Sequence, residues 1–346
     1  MKKNYFLISL GLYLIFVSSQ SFAQDFENPG TYMDFIGKQH ETIAKRFLAY
    51  NSASSHGKKA AKVESLKEKL LDEIQESRIN ISSMPSFKND KAYRDSAVSF
   101  MKLYYNALNE DYSKIVNMQE IAEQSYDNME AYMLAKEMVD KKMDDASDAL
   151  RAEQKKFAAD HNVTLLNGTD EIGEMMKKVE ETGNYYRPIY LIFFKSFKQE
   201  AYLMDAIEKK NINGIEQNKN TLLQYSKDGL AQLEKFSSFK GDNSLLTNCK
   251  RLLEFYVKET TEKIPQVSDY FLKEEAFEKM KKEYENKSEP TKEDVAAFNK
   301  MVKEVNNAVN TYNSNNNYLN ETRSQFVDNW NNAVDAYFDN HMPTYN

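Results

Sequence analysis

This sequence predicts an all-α protein, an elongated multi-helix bundle with long coiled-coil-like helices, and three observations carry the prediction. Helix-breaking residues are sparse, with ten glycines and six prolines in 346 residues. Apolar residues recur at three- and four-residue intervals, and no convincing run of strict apolar/polar alternation marks a strand. Two such registers are long enough to form seams. One runs through Ile115, Met118, Ala122, Met129, Tyr132, Val139, Met143, Ala146, Leu150 and Phe157, with Ser125, Lys136 and Glu153 as polar interruptions. The other runs through Val295, Phe298, Val302, Val305, Val309, Tyr312, Leu319, Phe326, Trp330, Ala333 and Tyr337, interrupted at Asn316 and Arg323.

Residues 1–23 read as a cleaved export signal. Lys2 and Lys3 precede an apolar run from Tyr5 to Val17, and Ser21-Phe22-Ala23 places small residues before a cut between Ala23 and Gln24. That run is too short for a comfortable membrane span. The only cysteine, Cys249, lies far from the cut, so lipid attachment there is not expected. The location expected is periplasmic, secreted or cell-surface, with no transmembrane segment after cleavage.

Helices are then expected over 31–53, 58–80, 90–117, 119–160, 170–182, 186–210, 213–236, 243–263, 266–286 and 291–340. Pro29, Pro85, Pro188, Pro265, Pro290 and Pro343 fall at these boundaries, where a missing N–H costs little. Pro188 thus separates two of the predicted helices.

The chain repeats itself. Ser86-Phe87-Lys88-Asn89-Asp90 returns as Ser238-Phe239-Lys240-Gly241-Asp242, an offset of 152. Tyr93, Ala97, Phe100 and Tyr104 align with Leu245, Cys249, Leu252 and Tyr256, and Leu70-Leu71 with Leu222-Leu223. Two helical repeats follow, residues 24–167 and 168–346. Asp90 and Asp242 are expected to cap the helices that start there, accepting a free N–H at the positive end of the dipole.

The formal charge of −7 becomes −9 once Lys2 and Lys3 are removed. Such a chain repels phosphate backbones, so no nucleic-acid partner is expected. His40, His56, His161 and His341 show no metal-ligand spacing, and no Glu stands three residues before any of them. Neither metal nor other cofactor is expected, and no catalytic residue is assigned. Cys249 falls on an apolar helix face and reads as an inert thiol. Met118, Met129, Met133, Met138 and Met143 follow the seam and read as core. Glu120, Glu123, Asp127 and Glu130 read as a solvated acidic face.

One stretch stands apart. Tyr185 to Glu200 is apolar nearly all round, yet it carries Lys195, Lys198 and Glu200. Either these charges snorkel or pair with a neighbouring helix, or Tyr190, Lys195, Lys198 and Glu200 line a ligand pocket. His56, in a Ser-rich turn, is a further candidate ligand contact beside its reading as a solvated loop residue.

Met84-Pro85-Ser86-Phe87-Lys88, Leu108-Asn109-Glu110-Asp111-Tyr112-Ser113-Lys114-Ile115-Val116, Ile121-Ala122-Glu123-Gln124-Ser125-Tyr126, Phe193 to Tyr202 and Phe239-Lys240-Gly241-Asp242-Asn243-Ser244 spread over most of the mature chain. In these stretches the chain resembles an uncharacterised family of exported, all-helical bacterial surface proteins of Bacteroidetes and spirochaetes. The resemblance implies compartment and architecture, and no activity or site. The function expected is a non-enzymatic binding or scaffold protein of the bacterial envelope, its partner an envelope protein or surface ligand. The alternative is a small-molecule binder or enzyme, with a pocket between the two halves near Lys195 and Lys198.

Overall fold

The computed structural model describes residues 26–111, 125–165 and 171–345. The signal segment with Ala23 and Gln24, the seam positions Ile115, Met118 and Ala122, Glu120 and Glu123, and the 167/168 boundary lie outside the described residues.

Among the described residues the chain is all-α and forms no strand. Helices α1 (Pro29–Ser55), α2 (Ala60–Ser82) and α3 (Ala92–Asn106) lead into a π-turn, Ala107–Asp111, and then to α4 (Tyr126–Asp160). Helices α5 (Glu171–Glu208), α6 (Ile212–Leu233) and α7 (Ser244–Lys258) lead into a second π-turn, Glu259–Lys263. Two more helices close the chain, α8 (Ile264–Glu285) and α9 (Lys292–His341). The starts are written in the sequence. Asn28 accepts from the N–H groups of Gly30 and Thr31 ahead of α1, with Pro29 at the first helical position. Thr291 and Asp294 form a capping box that opens α9.

Consecutive helices pack on one another within each half, α1 to α4 and α5 to α9, with α8 and α9 forming a hairpin. One core gathers Tyr32, Ile36, Leu70, Ile74, Phe87, Met101 and Phe157. The larger one gathers Ile189, Phe193, Leu222, Leu252, Leu253, Tyr256, Leu319 and Trp330. Helix α4 belongs to both. Its Phe157 and Ala158 enter the first core, while Met129 enters the second.

Three expectations need correction. Pro188 does not end a helix; it lies inside the 38-residue α5. Packing overrides the lost hydrogen bond, because Tyr185 is bonded to Ser237 on one side of it and Ile189 is wholly buried on the other. The helix expected over 90–117 is α-helical over Ala92–Asn106 and continues as a π-turn to Asp111, residues 112–117 lying outside the described residues. That over 243–263 is α-helical to Lys258 and continues as a π-turn to Lys263. The seams are also less regular than their spacing. Met138 and Val295 are exposed. Asn316 is exposed too, and the buried residue is Asn315, which donates to Gln266 and accepts from Lys263 Nζ.

Candidate functional site

The two halves present the same turn. Phe87 and Asp90 exchange backbone hydrogen bonds at 2.9 and 2.8 Å, as Phe239 and Asp242 do at 3.0 and 2.8 Å. Both central residues take positive φ in each case, Lys88 (46°) with Asn89 (72°), and Lys240 (52°) with Gly241 (90°). That is the conformation in which Asn and Gly are favoured at the second position. Asp90 and Asp242 each stand two residues before the helix, one position earlier than a cap. Each still accepts the first free N–H, from Ala92 at 2.9 Å and Ser244 at 2.7 Å.

The second carboxylate oxygen of each aspartate accepts a hydrogen bond from a histidine that closes the same half. His161 Nε2 donates to Asp90 at 3.2 Å, and His341 Nε2 to Asp242 at 2.9 Å. Burial pushes both carboxyls up, but their hydrogen bonds outweigh it and hold them below the ordinary range. Aromatic rings enclose both pairs, Phe87 and Phe157 around His161, and Phe239 and Tyr337 around His341. Tyr32 and Tyr185 bond to the strand of chain entering each turn, at Pro85 and Ser237. Sequence spacing could have found the histidines, since Phe157 and Tyr337 each stand four residues before one.

The two halves differ on one face. Between α5 and α9 lies an open trough of about 560 Å³, lined by Tyr186, Tyr190, Phe193, Phe194, Phe197 and Trp330. Lys198, Asn331 and Asp335 add polar groups. Phe193 stacks on Trp330 at 4.4 Å, and Tyr190 on Phe194 at 5.7 Å. Counting from Tyr32/Tyr185 and His161/His341, the sequence has Gly37, His40, Glu41, Ala44 and Leu150 at the offsets of Tyr190, Phe193, Phe194, Phe197 and Trp330.

Lys195 points elsewhere. Its ammonium lies 4.6 Å from the ring centre of Tyr126 and 4.4 Å from that of Tyr225, a cation–π sandwich. The adjoining pocket, about 280 Å³, is bounded by Tyr126 and Glu130 of α4 and by Leu191, Asp228 and Gln232. This pocket lies between α4, α5 and α6. Lys195 and Lys198 therefore serve separate cavities, and Glu200 lines neither.

Glu200 is instead 3% exposed and paired with Arg323 of α9. Arg323 also reaches Glu259, the first residue of the second π-turn, at 2.7 Å. Burial pushes both carboxyls up against the pull of the guanidinium, Glu259 to about 8, where the charge of Glu200 adds to the push. Arg323 shows in the sequence only as a polar break in a seam, and Glu259 lies in neither seam.

The other candidates are structural. His56 closes α1, its Nδ1–H donating to Ser52 O at 2.8 Å, and it lines neither cavity. Cys249 is wholly buried, which pushes its thiol up and leaves it unreactive. Among the described residues no group of three His, Cys, Asp or Glu side chains could hold a metal ion, and no helix is long and apolar enough to cross a membrane. No family model, curated protein or solved structure matches the chain.

Proposed function

We propose that this is a non-enzymatic binding or scaffold protein of the bacterial envelope, exported by residues 1–23 and built from two copies of one helical unit. The second copy carries the binding face. One observation supports this reading above the others: on a shared framework, five positions that are small, polar or aliphatic in the first half are aromatic in the second, and together they line an open trough. Aromatic walls with a few polar groups are the usual make-up of a ligand site. Phe193, Phe194 and Trp330 are buried behind the wall, so Tyr186, Tyr190 and Phe197 present its accessible rings beside Lys198, Asn331 and Asp335. That suits a ligand with a flat apolar face and hydroxyl edges, and saccharides have that chemistry.

Trp330 is the chain's only tryptophan, so its fluorescence reports on this trough without a label. Titration with neutral and acidic oligosaccharides is expected to give a saturable change in emission. Tyr190→Ala and Phe197→Ala should weaken binding at least tenfold, a loss of about 1.4 kcal/mol or more. A flat response across the whole set rejects the saccharide reading.

A second reading, a small-molecule site between the halves, draws on Lys195 and its two tyrosines. Trp330 does not line that pocket, so a ligand there is read by calorimetry and should be lost in Lys195→Met.

A further inference from the structure

The Glu200–Arg323–Glu259 cluster is expensive by every physical measure. Two buried carboxylates share one partly exposed guanidinium, and a buried ion pair is seldom worth more than well-packed apolar side chains. Glu259 is 1% exposed, and its Oε2 has no hydrogen-bond partner; the hydroxyl of the wholly buried Tyr256 beside it has none either. The fold does not require any of this. At the corresponding positions the first half has Phe47, Ala107 and Met143. There Phe47 lies 6.5 Å from the ring of Tyr104, the counterpart of Tyr256, and Met143 packs on Ala107. The same π-turn is present in both halves, so the turn itself is not a consequence of the charges.

We infer that Glu200, Glu259 and Arg323 form a buried proton-binding site: the two carboxyls hold one proton between them, and losing it to solvent loosens the joint between α5, the second π-turn and α9. With both glutamates ionised the cluster carries one uncompensated negative charge. Besides Arg323, which also donates to Asn320 Oδ1 and Met204 Sδ, the titratable group beside the cluster is Tyr256 of α7, which is not cationic. A proton restores neutrality and supplies a donor for an orphaned oxygen. Glu200 and Arg323 stand within a turn of Lys198 and Val327, which line the trough, so the clamp sits at one end of it. The proton site itself does not depend on what the trough binds.

A carboxyl raised in the folded state stabilises fully below its unfolded value, near 4.5, and loses that contribution as pH rises through the folded value. Full-chain urea unfolding between pH 5 and 9 tests this, with Glu259→Gln standing in for the protonated acid. The folding constant of the variant relative to wild type is expected to rise by up to about tenfold per pH unit to pH 8 and then level off. Parallel profiles overturn the inference. Carbon-13-edited infrared spectra of wild type at pH 7 give a second reading that needs no variant. A protonated carboxyl band supports the site, and its absence rejects it. Should Glu259→Gln fail to fold, the variant Glu200→Phe/Glu259→Ala/Arg323→Met copies the first half and should lose the same pH dependence.

Discussion

Asp90 and Asp242 each do two things with one carboxylate. One oxygen caps a helix, and the other holds the histidine that ends the last helix of its half. Replacing Asp242 with Ala removes both bonds from a site that is mostly enclosed, and should lower stability by about 1–3 kcal/mol. Thermal melts at pH 7 measure that loss. Asparagine at the same position keeps the N–H acceptor and separates the two contributions. Because both aspartates titrate below their ordinary value, their stabilisation is present above the unfolded value and lost as pH falls through the folded one. His40 acts earlier on the same limb. Burial holds its ring neutral down to about pH 4, so the folded state refuses a proton that the unfolded chain takes near 6.5. Stability therefore falls as pH drops through that interval, and His40→Phe, the residue found at the corresponding place in α5, should flatten the fall.

At the scale of elements, closeness of approach is set at Gly229. A Cβ there would meet Leu253 Cδ1 at 2.9 Å and Ile192 Cγ2 at 3.0 Å, where α5, α6 and α7 converge. Gly229→Ala gains about 1 kcal/mol of helix propensity but overpacks a buried junction by about 1–3. The net expected is a destabilisation, read as a lower urea midpoint with unchanged slope. The first half has Ser77 at this sequence offset, wholly buried. Helices were legible in the sequence because their signals are local: Asn28-Pro29, Thr291-x-x-Asp294 and the three-four spacing each lie within one turn. Pro188 misled because its cost is local while the packing that outweighs it comes from α6, α7 and α9. The trough was half legible. Tyr190 and Lys198 lie in one conspicuous stretch, whereas Trp330, Asn331 and Asp335 come from a helix more than a hundred residues later. Glu200 was conspicuous for the same reason as Lys195, and only the fold shows that one is buried with Arg323 and the other held between tyrosines.

At the scale of the whole molecule, α1 and α4 both join the halves by packing on α5, and among the described helices α4 alone has residues in both cores. Its Met129 packs in the second core and its Phe157 in the first, and Val139 between them packs on Ala107. Met129→Ala should cost about 2–5 kcal/mol. Because the helix is shared, hydrogen exchange is expected to show lost protection in both cores, in α2 as well as in α6. Exchange that rises only in the second core would mean the halves open independently. The chain's two ends add a lighter tie, the amide of Tyr345 donating to Ser52 Oγ at the end of α1. The shared helix also bears on how such a gene can change. A deletion that removed either half cleanly would leave the survivor with a stripped apolar face, either Met129 without its pocket or the second core without its lid. Each half therefore depends on the other to cover an apolar face that α4 carries into it.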